Sequence, residues 1–279
     1  MNIPKLPIGD WIETLEAWLE AHFAPLFDVI RILIGSLVDF LQSVLLLGPP
    51  ILIVLLASTL AWIAGKWRFA ALAFVGLLLI VNLGYWEHAM ETLAIVLTAS
   101  LLSIIIGVPL GILCARSRVS QNVVTPVLDF MQTMPAFVYL LPAVSFFSLG
   151  VVPGVIASII FAVPPTIRLT NLGIRQVPHE LVEAAEAFGS TPNQMLFKLQ
   201  LPMALPTMMA GINQTIMLSL SMVVISSMIG AQGLGADVYR AVTQTKTGTG
   251  FEAGISIVVL AILLDRLTQR IVKKQKTQR

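Results

Sequence analysis

At 279 residues, 57% of them hydrophobic and only 11% charged, with a mean hydropathy of +0.89, the chain is too apolar for a water-soluble domain. Its single cysteine, Cys114, excludes an internal disulfide and any metal site built on several thiolates. The net charge of +2 says little until Lys and Arg are followed along the chain, and the acidic stretch before the first apolar run gives no expectation of a cleavable signal peptide.

Residues 1–48 read as an outer amphipathic extension. Asp10-Trp11-Ile12-Glu13 has the form of a helix start, with Asp as cap and Glu three positions on. Trp11, Leu15, Trp18, Leu19 and Phe23 share one face, and Glu13, Glu16 and Glu20 lie opposite. Asp28, Arg31, Asp39 and Gln42 recur at helical spacing through the next apolar stretch, which suits helices lying in a membrane interface. The other reading of 26–47 is an eighth span, which would move the amino terminus to the cytoplasm.

Seven segments approach the roughly 20 apolar residues that cross a bilayer core: 49–65, 69–85, 90–114, 122–148, 152–168, 203–229 and 251–269. The fold class expected is an all-α integral membrane protein. Pro135 and Pro142 in the fourth segment, and Pro153, Pro164 and Pro165 in the fifth, predict breaks or kinks. Of the 17 Lys and Arg, thirteen fall on one side of this arrangement: Lys66, Arg68, Arg116, Arg118, Arg168, Arg175, Lys198, Arg266, Arg270, Lys273, Lys274, Lys276 and Arg279. Lys5, Arg31, Arg240 and Lys246 fall on the other. The basic side is expected to be cytoplasmic, with the amino terminus outside and the carboxyl terminus inside.

The spans are nearly free of ionisable groups, which argues against proton coupling through buried carboxylates or histidines. Asp129 is the exception, and it reads either as a capped or water-facing structural carboxylate or as a transport group. His22, His88 and His179 lack partners at metal-ligand spacing and read as surface histidines.

Between the fifth and sixth spans lies an ordered segment outside the membrane. Pro178 suits a first helical position, Glu180 and Glu183 suit the positive amino end, and Gly189 suits a helix stop. Thr191-Pro192-Asn193-Gln194 is a capping box that starts a second helix. Leu181, Ala185 and Phe188 form one apolar stripe, and Met195 with Leu199 another. The expectation is a helix–glycine–helix knob, with no socket for it in this chain.

Gly230-Ala231-Gln232-Gly233-Leu234-Gly235 has the wrong spacing for a dinucleotide loop, and a tight turn or re-entrant segment fits it better. No Gly-x-x-x-x-Gly-Lys-Ser/Thr loop is present: Gly65-Lys66 is followed by Trp67. Met131, Met134, Met203, Met208 and Met209 read as packing residues.

The spacing Glu183-Ala184-Ala185, Gly189, Leu199, Leu201-Pro202 resembles the cytoplasmic coupling loop of type I permeases of binding-protein-dependent ABC importers, with Leu199 where the family's pattern has Ile. Met131 to Pro142, Pro164-Pro165-Thr166-Ile167-Arg168 and Ala210-Gly211-Ile212-Asn213-Gln214 look like the branch that imports glycine betaine, proline betaine, proline and related compatible solutes. The resemblance implies a transport core over 89–269, with a coupling loop at 170–205. It also implies two accessory spans over 49–88 and a cytoplasmic basic tail over 270–279.

It further implies that Glu183, Ala184, Ala185, Gly189, Leu199 and Pro202 couple the chain to an ATPase, and that Phe137, Tyr139, Asn213, Gln214 and Ser219 are candidates for lining the path. The implied partners are two copies of an ABC ATPase holding ATP and magnesium, an extracytoplasmic solute-binding protein, a second copy of this chain and membrane lipid, but no nucleic acid. No catalytic group, metal or cofactor is expected in this chain. Another amino acid or quaternary amine such as choline or carnitine remains open as cargo, and an ATP-independent channel or secondary carrier is the competing class.

Overall fold

Inside a bilayer no water is available to backbone N–H and C=O groups, so an apolar chain must pair them internally. The computed structural model describes residues 6–276, with the backbone alone at 64, 66 and 271–276; Lys5 and Arg279 lie outside the described residues, as do the side chains of Lys66, Lys273, Lys274 and Lys276. Every regular element in it is helical: α1 (Ile8–Leu45), α2 (Pro50–Asn82), α3 (Trp86–Arg116), α4 (Arg118–Thr133), a 3-10 turn (Ala136–Tyr139), α5 (Leu140–Phe147), α6 (Val151–Arg175), α7 (His179–Ala187), α8 (Pro192–Gln194), a π turn (Met195–Gln200), α9 (Leu201–Ser227), α10 (Leu234–Thr243) and α11 (Thr247–Lys276).

Helices α3, α6, α9 and α11 make the core, with α6 at its centre. Gly111 of α3 lets α6 come so close that a Cβ there would stand 2.8 Å from the Ile167 carbonyl oxygen. Gly211 of α9 does the same on another flank, where a Cβ would meet the Pro165 carbonyl at 2.9 Å. Such approaches are how helices associate where lipid is as apolar as the side chains. The Thr215 hydroxyl donates to the Ala162 carbonyl at 2.7 Å and lies 2.8 Å from Thr166 Oγ1, adding polar contacts between α6 and α9. Helix α6 runs unbroken through Pro164-Pro165. The fourth expected span is broken instead: Arg118–Thr133 and Ala136–Phe147 meet at 106°, at Met134-Pro135.

Length and composition do not by themselves mark all seven expected spans. Among the described residues four helices are long and apolar enough to cross a membrane, up to six if each bent pair is one span. The difference arises partly in Pro50–Asn82, expected as two spans joined by a loop but helical throughout. A straight helix would hold Val54 and Leu77 roughly 35 Å apart, at 1.5 Å per residue. Yet both belong to one buried cluster with Ile80, Trp86 and Met90, and Ala61 clusters with Phe69 and Ala73. The segment therefore folds back on itself near Gly65, where the Arg270 guanidinium fills the room a side chain would need. Each arm is shorter than the roughly 20 residues of a full span.

Helix α1 starts at Ile8, with Pro7 at its cap, so Asp10 sits inside the first turn rather than capping it. Its second half crosses the other helices. Phe27 stacks on Phe146, Ile34 and Val38 cluster with Ala94, Ile95 and Val155, and Gln42 Nε2 donates to Glu91 Oε1. Phe146 belongs to α5, and the other partners lie in the first halves of α3 and α6. The first arm of α2 leaves α1 at 94°. Helix α1 thus packs its second half against α3, α5 and α6, while Trp11, Leu15 and Trp18 stay exposed.

The opposite end is basic. Arg116 closes α3, Arg175 closes α6 and donates to the Cys114 carbonyl at 2.9 Å, and Arg270 lies over the Phe69 ring at 4.8 Å.

Candidate functional site

The knob stands at the basic end. Pro178 is the cap of α7 rather than its first residue: its carbonyl accepts from Leu181 and Val182. The other end of α7 closes as a Schellman motif. Gly189 takes φ +76°, its N–H donates to the Glu186 carbonyl at 2.8 Å, and the Ser190 N–H donates to Ala185 at 3.0 Å. Two residues on, the capping box forms as its spacing predicts. Gln194 N–H donates to Thr191 Oγ1 at 3.3 Å, and Thr191 N–H donates to Gln194 Oε1 at 2.9 Å.

The box does not open a separate second helix. Beyond it the chain passes through one wide π turn, Met195–Gln200, directly into α9, so that Pro192–Ser227 is one helix of 36 residues. Pro202 has no N–H to give the Lys198 carbonyl, and the wider turn lies just upstream of it. The knob is therefore one short free helix strapped to the root of a spanning one. Arg116 pins that root to α3, donating to the Pro192 carbonyl at 3.2 Å.

Facing differs from the expected stripe. Val182 and Ala185 are the half-buried positions of α7, whereas Leu181 is exposed and Phe188 is 91% exposed. Beneath them Met195 and Leu196 are buried and Leu199 and Pro202 half-buried, while Phe197 points out. A cleft of about 270 Å³, lined by Arg116, Ile174, Val182, Glu186, Met195 and Gln200 among others, separates α7 from the bundle. Glu183 and Ala184 face solvent, and Glu183 Oε1 lies 3.0 Å from His179 Nδ1. The outward face of the knob thus combines Leu181, Phe188 and Phe197 with carboxylates, a surface water alone does not favour.

The path candidates do not stand together. Phe137 and Gln214 are exposed. Tyr139 is buried, and its hydroxyl donates to the Met131 carbonyl at 2.8 Å. Ser219 is buried at 1% exposure, with no hydrogen-bond partner for its hydroxyl among the described residues. Asn213 joins α9 to α11: its amide donates to Asp265 Oδ1 at 2.8 Å and accepts from Thr268 Oγ1 at 2.6 Å.

Sequence reasoning passed over that network. The signal was available, since Asn213 and Asp265 are both polar residues inside apolar spans and each needs a partner. It also named Asp129 without its partner, Arg168, 2.6 Å away. His88 is no plain surface histidine: Nδ1 lies 2.5 Å from Asp237 Oδ2, tying α3 to α10. Helix α10 itself comes after the glycine-rich turn, where Gly230 and Gly233 take φ of +95° and +105° and Leu234 N–H donates to Thr92 Oγ1. Among the described residues no group of three His, Cys, Asp or Glu is placed to hold a metal.

The model of the family described as "Binding-protein-dependent transport system inner membrane component" matches residues 107–277. The glycine betaine/carnitine transport permease protein of Listeria monocytogenes is 57% identical over 281 residues, covering 99% of each chain. The glycine betaine transport system permease protein of Bacillus subtilis is 53% identical, over 99% of this chain and 98% of that one. A solved structure of the MetNI methionine ABC transporter in inward-facing conformations matches 66% of this chain and 92% of its own, with a TM-score of 0.62 at 23% identity, a likeness of fold. The chain belongs to the family of inner membrane components of binding-protein-dependent transport systems, the permeases of ABC importers.

Proposed function

We propose that this chain is the translocating subunit of an ATP-driven importer for glycine betaine and related compatible solutes. The observation that carries the cargo is identity above half, spread over nearly the whole chain, to two permeases named for glycine betaine transport. Two copies of the chain form the path. An extracytoplasmic binding protein delivers the solute, and two ATPase subunits hydrolyse ATP below. The basic end faces the cytoplasm, as Lys and Arg distribution favours, and α1 lies in the outer interface.

The knob is the mechanical input. Leu181, Phe188 and Phe197 enter an ATPase groove, and Glu183 meets a basic group there. Because Arg116 and the π turn join the knob to α3 and α9, closing the ATPases moves those helices with it. ATP binding then favours the outward-open packing, and hydrolysis restores the inward-open one, a population shift set by contacts that differ between the two.

Reconstitution tests this reading. Vesicles holding the chain with its ATPase, supplied with the binding protein, should accumulate labelled glycine betaine only with ATP inside, and an excess of unlabelled glycine betaine should compete. Flux through the chain alone, without ATPase or ATP, would support the channel or carrier class instead. ATP-driven uptake of a different amine, with glycine betaine ignored, would refute the cargo while keeping the importer.

A further inference from the structure

Two charged side chains face one another toward the basic end of the bundle. Arg168 of α6 donates to Asp129 of α4 at 2.6 Å, and the side chains keep 40% and 61% of their surface exposed. Arg168 precedes the end of α6 at Arg175 by seven residues, which puts it about 10 Å inward along a helix rising 1.5 Å per residue. Helix α6 is long and apolar enough to cross a membrane. Leu128, beside Asp129 in sequence, is buried against Cys114, Val163 and Ile167. The pair therefore stands on an apolar wall of the bundle, not on a loop. Arg168 stands where the apolar run of α6 ends, toward the basic end of the bundle, and charges so placed face water or the protein rather than lipid, so the exposed side of this pair opens on an aqueous space.

A pair so exposed is screened by water and holds weakly, which leaves it free to exchange partners. Each end offers what one end of a zwitterion needs. The carboxylate attracts a quaternary ammonium, and the guanidinium fork matches a carboxylate in a two-bond contact.

We propose that Asp129 and Arg168 form a specificity-determining relay, parting as a zwitterionic solute passes and re-forming behind it. Asp129 takes the ammonium head and Arg168 the carboxylate. The relay rests on the importer reading above and narrows its cargo to solutes carrying both charges, a selection the permease makes independently of the binding protein.

The test measures solute delivered per ATP in the reconstituted complex, with thermal unfolding as the check on folding. The neutral pair, Asp129→Asn with Arg168→Gln, keeps a hydrogen bond and removes both charges. The exchanged pair, Asp129→Arg with Arg168→Asp, keeps both charges in reversed places. Hydrolysis stimulated by loaded binding protein should stay at the wild-type level in both variants. Betaine delivered per ATP should fall about tenfold in the neutral pair, the loss expected when charge-assisted contacts become neutral ones, and should recover in the exchanged pair.

A folded neutral pair that delivers as much as wild type overturns the relay. So does a folded neutral pair that loses stimulated hydrolysis, because the two residues would then act in the conformational cycle and not on the solute. A folded exchanged pair that delivers no more than the neutral pair overturns it too. Should the exchanged pair not fold, the neutral pair decides alone. Failure of the importer reading is separate and shows first, as wild-type vesicles without ATP-driven uptake.

Discussion

Helices α6 and α7 are neighbours in the chain and obey opposite rules. Along α6 the residues that meet neighbours are small or branched, and Gly154, Ala157, Ala162, Thr166 and Thr170 are all buried. Along α7 no residue is buried, and its last turn ends beside the almost fully exposed Phe188. The first helix is defined by what surrounds it and the second by its own ends, a Schellman glycine and the capping box just beyond. A spanning helix can draw its stability from tertiary contacts. A knob with no buried residue has few contacts to draw on, so local hydrogen bonds hold its shape. The contrast predicts that change at α6 destroys the fold, whereas change at the knob destroys only coupling.

The largest effect is expected where α6 has no slack. In Gly211→Leu the new Cβ would meet the Pro165 carbonyl at 2.9 Å and the Leu169 Cβ at 2.9 Å. Overpacking of this kind costs about 1–3 kcal/mol or more, and backbone on the other side leaves little room to yield. The variant should lose most of its monodisperse peak in detergent and unfold at a markedly lower temperature. Unchanged unfolding would mean that α6 and α9 do not approach so closely.

The same contrast decides what could be read without coordinates. The Thr191–Gln194 box and the Gly189 stop were legible because each is settled within a few residues. The face of α7 was not. Leu181, Ala185 and Phe188 make a sound helical stripe, yet only Ala185 turns inward, because Met195 and Leu196 underneath select Val182 and Ala185 as the seat. The fold-back at Gly65 was hidden for a related reason. Lys66 and Arg68 suit a membrane boundary in the sequence, but nothing local there stops a helix, and it is Arg270, some two hundred residues on, that occupies the bend. Asn213 with Asp265, and Asp129 with Arg168, are partners that only the packing of distant helices brings within reach.

A second variant sharpens the comparison from the side of the knob. Phe188→Asp removes an aromatic ring that is 91% exposed and touches little of its own chain, so thermal unfolding of the isolated permease should match wild type. Burial of a Phe in a partner is worth about 1.5–3 kcal/mol, and an aspartate there adds an unpaired charge to the interface. The ATPase should therefore no longer co-purify, and ATP-driven uptake should fall to background. A variant that transports normally would remove Phe188 from the docking face.

The smallest effect separates conformation from contact at Gly189. A Cβ there would meet nothing within 4 Å, so the site has room for a side chain, but φ is +76°. Only the backbone resists substitution. Left-handed geometry costs an ordinary L-residue about 1–2 kcal/mol, more for a β-branched one, and Asn tolerates it far better. Gly189→Val should thus weaken uptake several-fold by loosening the end of α7, where Ala185 and Glu186 give their carbonyls to the turn. Gly189→Asn should transport nearly as wild type in the same vesicles. If both variants fail alike, the partner ATPase approaches Gly189 itself and the glycine is there for contact. If only Val fails, the residue serves the turn, and the docking face is confined to the side chains that α7 and the root of α9 present.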